Sequence, residues 1–318
     1  MSKPVVNLSN MPVLSETGKL VHISEALSDS IRYIEKRASG EKFGYKLRWQ
    51  KTNQILGGEL GYAQNLVIGA RPGVGKSAYV NILIQDAIEL NPEIDIIVPY
   101  YNWEMANFRQ GLRFLSYNSK KKISELNSAE ELLKKEEIEK LKELAARFND
   151  KNLFFINRSV TSQTINDLTD QIKSRYPKHH IINVLDHTRL VKRKDETKEE
   201  EKLFNLLDCL NEQKKIKGTT NLIISQLNRN IENPDRMQSY FKPMLSDLFG
   251  ADAVGQYAET VFILHRPEKY GFEHVNIGGE VIPVANKLFN EVVKNRDGDS
   301  DVTIIYNHDL SRNQIDEV

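Results

Sequence analysis

An α/β fold, with a mostly parallel central sheet flanked by helices, is predicted by three features of the chain. Short β-rich apolar runs alternate with helical stretches after residue 60. The runs are continuously apolar rather than alternating, and one of them leads into a glycine-rich turn that opens a long apolar-periodic segment. The runs lie at 66–68, 94–98, 153–156, 181–185, 222–224 and 261–264. A strand without a polar side must be covered on both faces, so helices are expected above and below the sheet. Two later runs, 290–293 and 302–306, flank Asp297-Gly298-Asp299 and predict a terminal hairpin.

Ahead of this core, residues 1 to about 22 have weak periodicity and read as an irregular arm. From Ser24, Leu27, Ile31 and Ile34 recur at helical spacing among charged neighbours as far as Ser39-Gly40, which predicts an amphipathic helix with one apolar stripe. Such a stripe needs a covering surface, either the helix's own domain or a neighbouring subunit. The expected division is therefore an arm and helix over 1–43 and a core over 44–318. Within the core, 128–148 is highly charged, with Leu132, Leu133, Ile138, Leu141 and Leu144 on one face. It reads as a surface helix with Ser128 and Glu131 as a capping box.

Bulk properties narrow the function classes. A chain of 318 residues with 40% apolar content can bury a full core. Its 44 Lys and Arg balance 44 Asp and Glu, so a nucleic-acid partner would be held by local patches rather than by an overall basic surface. The lone Cys209, within a helical pattern, excludes an intramolecular disulfide framework and a cysteine-rich metal site, and reads as buried filler. No signal-peptide core opens the chain and no apolar run is long enough for a membrane span, so a cytoplasmic protein is expected.

The most specific stretch is Val67-Ile68-Gly69-Ala70-Arg71-Pro72-Gly73-Val74-Gly75-Lys76-Ser77, a strand running into a turn that ends Gly-Lys-Ser. It reads as a phosphate-binding loop. Gly73 and Gly75 allow backbone N–H groups to turn inward around phosphate oxygens, Lys76 meets the β and γ phosphates, and the Ser77 hydroxyl can ligate Mg²⁺. The helix that follows points its positive end at the anion. The general pattern wants glycine at position 70, where this chain has Ala70.

Hydrolysis of a triphosphate also needs a held metal, an activated water and a γ-phosphate sensor, each delivered from the C-terminal end of a strand. Asp186 ends the run 181–185 and is placed to deliver a carboxylate toward Mg²⁺ opposite Ser77. Glu104 follows the second strand in Tyr100-Tyr101-Asn102-Trp103-Glu104-Met105 and could polarise water. Gln226 follows Leu222-Ile223-Ile224-Ser225, where an amide could report on the γ-phosphate. Local sequence alone leaves Glu104 undecided and fits Gln226 equally as a polar strand terminus.

In order, these residues resemble the motor domain of the DnaB-like replicative helicases. The motifs are Ala70 to Ser77, Trp103-Glu104-Met105 with Arg113 nine residues beyond Glu104, the strand with Asp186, Ser225-Gln226-Leu227-Asn228-Arg229, Pro243-Met244-Leu245-Ser246-Asp247-Leu248 and Lys294-Asn295-Arg296-Asp297-Gly298. The resemblance spans about residues 24–308, with Gly57-Gly58 near the entry to the core and 24–43 resembling the family's linker helix. Ala70 suits this family.

The resemblance implies a RecA-like core that hydrolyses ATP with Mg²⁺. Glu104 would be the general base, Lys76 and Ser77 phosphate and Mg²⁺ ligands, Asp186 the second-strand carboxylate and Gln226 the γ-phosphate sensor. Lys294 and Arg296 match the family's Lys-x-Arg pair, which reaches a neighbouring subunit's ATP site, so a homo-oligomeric ring, a hexamer, is expected around single-stranded DNA. A helicase loader is a possible further partner. One departure is Phe249-Gly250-Ala251-Asp252, where the family continues Arg-Glu-Ser-Gly and contacts the nucleic-acid backbone. The alternative DNA contacts are the amides around Gly250 and the basic cluster Arg189, Lys192, Arg193 and Lys194, which also fits a solvated loop balanced by Glu199 to Glu201. The other departure is brevity, from which the family's N-terminal collar domain, and primase docking through it, are expected to be missing, as in a compact phage or mobile-element helicase acting in a bacterial host's cytoplasm. Two rival readings are a recombination or repair ATPase with the same core, forming filaments on DNA, and a weakly hydrolysing, nucleotide-gated helicase-loading factor, against which Glu104 argues.

Overall fold

Alternate residues of the central strands enter two separate apolar cores, as runs with no polar face require. Leu66, Ile68, Val184, Leu222, Ile224, Phe262 and Leu264 belong to one core, and Val67, Leu185, Ile223, Val261 and Ile263 to the other. The computed structural model in which this is seen describes residues 21–130, 132–188, 191–192 and 198–318. Arg189, Arg193 and Lys194 of the basic cluster, and Glu131 of the expected capping box, lie outside the described residues.

The chain divides into two units, Met1–Phe43 and Gly44–Val318. The first contains α1 (Ile23–Ala38), whose N-cap His22 accepts from the Ser24 N–H and whose apolar Leu27, Ile31 and Ile34 are all exposed. The second unit runs β1 (Gly44–Tyr45), α2 (Gln50–Ile55), β2 (Leu60–Gly61), β3 (Asn65–Ala70), α3 (Lys76–Glu89), β4 (Ile96–Asn102), α4 (Asn107–Ser119), α5 (Ile123–Leu126), α6 (Lys135–Ala146) and β5 (Leu153–Ile156). It continues α7 (Ser162–Arg175), β6 (His180–Asp186), α8 (Glu199–Lys217), β7 (Thr220–Gln226), α9 (Ala251–Tyr257), β8 (Thr260–His265), β9 (His274–Ile277), β10 (Glu280–Pro283), β11 (Lys287–Asn295), β12 (Val302–Asp309) and β13 (Gln314–Glu317).

Nine strands form one sheet in the order β13-β12-β11-β8-β3-β7-β6-β4-β5. The six from β8 to β5 are parallel, which is the predicted mostly parallel sheet, and β11, β12 and β13 add an antiparallel edge. The expected terminal hairpin is β11 and β12, although β13 extends it by one further strand. Parallel neighbours all end at one edge, and that edge receives the chemistry-bearing loops.

The expected charged helix over 128–148 is shorter. It begins at Lys135, where Glu137 accepts from the Lys134 N–H at 2.8 Å and serves as the reciprocal carboxylate of the cap. Ser128 Oγ instead accepts from the Glu130 N–H at 3.2 Å, a local turn that competes with helix. Leu132 is consequently exposed. Cys209 lies half-buried on α8, and burial pushes its thiol up to about 11. No helix among the described residues is long and apolar enough to cross a membrane.

The antiparallel edge is fastened to the start of the unit. The Glu317 carboxylate accepts from the Lys51 and Thr52 N–H groups at the N-terminus of α2, a stabilising place for an anion. Trp49 stacks on Tyr79 of α3 at 4.6 Å, and the Tyr306 hydroxyl joins those of Thr52 and Tyr79. Arg48 holds the fully buried Asp86 of α3 through its guanidinium and its own N–H. These contacts fix the roll of α3, and with it the direction of the helix N-terminus at residues 75–77.

His265 ends β8 in a buried position, its ring bonded to the Tyr240 carbonyl at 2.9 Å, and burial lowers its pKa from 6.5 to about 4. The unfolded chain therefore takes up a proton below about pH 6.5 that the folded chain refuses, so stability falls as pH drops from there toward 4. Replacing His265 by Gln should flatten that part of the pH profile, sparing roughly 2 kcal/mol of the loss by pH 5. Urea denaturation of both proteins at pH 7 and pH 5 checks this; parallel profiles would refute it.

Candidate active site

The parallel strands bring four candidate residues to one edge. In register, Ala70 pairs with Gln226 across β3 and β7, and Asn102 pairs with Asp186 across β4 and β6. Ser77 and Glu104 follow directly, one at the start of α3 and the other just past β4.

The loop itself depends on glycine at two points. Gly73 has φ +71° and Gly75 has φ +120°, conformations that cost an L side chain steric energy. At Gly75 a Cβ would also lie 2.9 Å from Leu310 Cδ2. Gly75 caps α3 without a side-chain acceptor, leaving the helix's first N–H groups directed toward the loop, as an anion site requires. Ala70 and Val74 are buried in the core, so the position where the general pattern wants glycine carries a packed methyl group instead. Arg71 turns outward, pairing with Glu232 at 2.8 Å and donating to the Leu227 carbonyl.

Lys76 donates to the carbonyls of Ala70 and Arg71 at 3.2 and 3.4 Å. Burial lowers its pKa, opposed by the carboxylates of Asp186 and Glu104. Asp186 is 1% exposed and accepts from Ser77 Oγ at 3.1 Å and from the Tyr100 hydroxyl at 3.4 Å. Burial raises its pKa, helped by Glu104 and opposed by Ser77, Lys76 and Arg113. A buried carboxylate with a second one near it is destabilised as an anion unless a cation joins it. Glu104 has a side chain 55% exposed, with Oε2 3.9 Å from His187 Nε2. It is therefore the carboxylate with access to solvent, while Asp186 is closed in.

The donor set suits Mg²⁺. A hydroxyl and a carboxylate oxygen 3.1 Å apart are hard ligands, and Mg²⁺ commonly takes one or two protein ligands and completes its octahedron with water and phosphate oxygens. Among the described residues no cluster of three or more His, Cys, Asp or Glu forms a self-sufficient metal site.

Other sequence-predicted residues are elsewhere. Lys294 and Arg296 follow the other direction of the sheet: Lys294 pairs with Val261 and Asn295 with Thr260, at the start of β8, whereas the loop lies beyond Ala70, which pairs with Leu264. Four residue steps of strand separate Thr260 from Leu264, roughly 13 Å at 3.3 Å per residue, and residue 296 lies farther still on the opposite side. Gly250 is the N-cap of α9 at φ +65°, and a Cβ there would meet Leu203 Cδ2 at 2.3 Å. Lys192 is exposed, its N–H donating to the Val160 carbonyl.

Sequence reasoning missed two cations on the outside of the loop. Arg266 Nη1 and Lys269 Nζ donate to the carbonyls of Gly73 and Pro72, both at 3.4 Å. They favour the orientation in which those carbonyls face outward and the loop's N–H groups face in. Their signal was available, since Arg266 directly follows β8 and so reaches the same edge as Glu104, Asp186 and Gln226.

The family described as the DnaB-like helicase C-terminal domain matches residues 45–314. The fold matches the ATPase domain of G40P with a TM-score of 0.78 and 18% identity over 94% of this chain and 100% of that one. It also matches a DnaB-like replicative helicase, described together with its interactions with primase, with a TM-score of 0.79 and 19% identity over 93% of this chain and 68% of that one. No curated protein matches the chain. With the fold shared and the family pattern running through nearly the whole core, the chain belongs to the DnaB-like helicase C-terminal domain family.

Proposed function

We propose that this chain is the motor of an ATP-driven, ring-forming replicative helicase that translocates on single-stranded DNA. The observation that carries this reading is the contact of Ser77 with the buried Asp186, with solvent-accessible Glu104 at the same strand edge. A structural phosphate site would need the cradle alone; a carboxylate pair, one closed and one open, adds a metal ligand and a base.

Lys76 and the loop N–H groups bind the β and γ phosphates of ATP, while Ser77 and Asp186 hold Mg²⁺, which supplies charge neutralisation on the phosphate oxygens. Glu104, open to solvent, takes the proton of the attacking water. Gln226, one strand from the loop, reports the presence of the γ-phosphate to the segment behind it. Lys294 and Arg296, on the far edge from their own loop, serve a neighbouring copy's ATP, which makes the homo-oligomer, a hexameric ring, the catalytic unit. Such an arginine contributes about a thousandfold or more to phosphoryl transfer. DNA contacts come from the amides at Gly250 and from Lys192 inside the ring, and a helicase loader is a fitting partner for placing a closed ring on a strand. The opposite-edge placement of Arg296 disfavours a self-contained loading factor, and electron microscopy with an ATP analogue separates rings from the filaments of a recombination ATPase.

Three outcomes are expected. Glu104→Gln should retain ATP binding while losing hydrolysis by about a hundredfold or more and should not unwind a forked duplex that the unaltered chain opens with ATP; undiminished turnover removes Glu104 from the mechanism. Mixtures of Arg296→Ala chains with Lys76→Ala chains should regain ATPase activity that neither has alone, because the first supplies intact loops and the second intact arginines; no recovery at any ratio argues against catalysis across an interface. Binding of single-stranded DNA should weaken with salt, with a log-log slope of about −0.7 per phosphate neutralised, and a flat titration would remove the backbone-contact model.

A further inference from the structure

The pair at the end of β11 is not loose. Lys294 Nζ donates to the carbonyls of Gly255 and Ala258, both at 2.6 Å, and Arg296 Nη2 donates to the Gln256 carbonyl at 3.3 Å. All three acceptors lie at the C-terminal end of α9. The next residue is Glu259, 8% exposed, and it holds Arg296 twice: its backbone carbonyl accepts the Arg296 N–H at 2.9 Å, and its Oε1 accepts Nη1 at 3.2 Å.

Glu259 is itself fixed from two other directions. Oε1 accepts from Lys214 Nζ at 2.6 Å, a pair whose side chains are each only 10% exposed, and Oε2 accepts from the Asn65 N–H at the start of β3 at 2.8 Å. The Glu259 N–H returns a bond to the Asn65 carbonyl at 3.1 Å. The buried carboxylate is thus neutralised by Lys214 and anchored to the central strand without any help from Arg296. The arginine is the exposed partner, its side chain 51% accessible, on the one remaining side.

This division has a consequence for a finger. A carboxylate that depended on Arg296 for its only counter-charge would hold the guanidinium back, because withdrawing it would leave a buried charge unpaired. With Lys214 in place, Glu259 can orient Arg296 and still let its tip go. An oriented guanidinium loses less rotamer freedom on meeting a phosphate, and preorganisation of this kind acts on the chemical step rather than on substrate binding.

We propose that Glu259 is the positioning residue of Arg296, seating the finger at the subunit edge while Lys214 neutralises the carboxylate when the finger leaves. The inference rests on the reading of Arg296 as a finger acting across an interface, and its test keeps the two apart. Full-length Lys76→Ala chains, which have intact fingers and inert loops, are mixed with Arg296→Ala chains, and ATPase activity is compared when the Lys76→Ala chains also carry Glu259→Gln. The rebuilt kcat should fall roughly tenfold, since an ångström of misplacement costs up to about a hundredfold, with the KM for ATP unchanged because the loops belong to the other chain. Glu259→Asp, which keeps the charge, should recover part of the rate. A merely structural role would lower the melting temperature without lowering kcat selectively, and equal kcat with Gln or Glu at 259 overturns the proposal. Failure of the parent mixture to rebuild activity overturns the finger reading itself. Should Glu259→Gln not fold, the Lys214→Gln/Glu259→Gln pair removes both buried charges together, and the same comparison of kcat decides.

Discussion

Everything in the core is organised around one constraint, that β3 has no free side. It has β7 and β8 as hydrogen-bonded neighbours, and its faces feed both apolar cores. A strand so enclosed can present polar chemistry only where it stops. Its parallel neighbours stop with it, so Gln226 and Asp186 come to the same rim as the loop after Ala70, and Glu104 follows one strand farther out. The apolar runs hold these strands side by side, and the residues that end them bring two carboxylates and an amide to one rim.

The same enclosure couples the rim to the segment before α9. Gly69, inside β3, has no room for a side chain because Leu248 Cδ2 would lie 2.4 Å from its Cβ. Leu248 forms an isolated bridge with Leu227, the Phe249 N–H donates to the Gln226 carbonyl at 3.2 Å, and the Asn228 N–H donates to the Asp247 carbonyl at 2.7 Å. The residues following Gln226 and those preceding Gly250 therefore form one hydrogen-bonded layer over β3. Gln226 is thereby joined to the residue before Gly250 by a main-chain bond, with no long side chain in between. Packed layers of this kind transmit small shifts because they have few intermediate arrangements.

Legibility from sequence followed the same physics. The six parallel strands were readable because continuous apolar runs leave little choice of environment, and the rim residues were readable because they end those runs. The loop was readable from Gly73, Gly75, Lys76 and Ser77. What escaped depended on contacts distant in sequence. β13 is four residues held by Trp49 and Glu317 to the start of the unit, and β9 with β10 is a short hairpin about Gly278 and Gly279 that packs Val275 and Ile282 in a small core with Phe289. For Glu259, neither burial nor the nearness of Asn65 and Lys214 is encoded locally. The N-terminus of α6 lies at Lys135, where the Glu137 carboxylate reaches the Lys134 N–H.

Two of the buried carboxylates, Glu259 and Asp186, show how burial can be compensated differently. Glu259 is balanced within the chain by Lys214, so its charge is settled before any other molecule arrives. Asp186 is not balanced in that way: its direct contacts are the hydroxyls of Ser77 and Tyr100, its nearby cations Lys76 and Arg113 only partly offset burial, and Glu104 adds like charge. A hydroxyl can donate one bond but cannot neutralise, so Asp186 retains an electrostatic demand for a cation that Glu259 lacks. The two carboxylates thus differ in whether a full counter-charge lies within hydrogen-bonding reach in the chain itself.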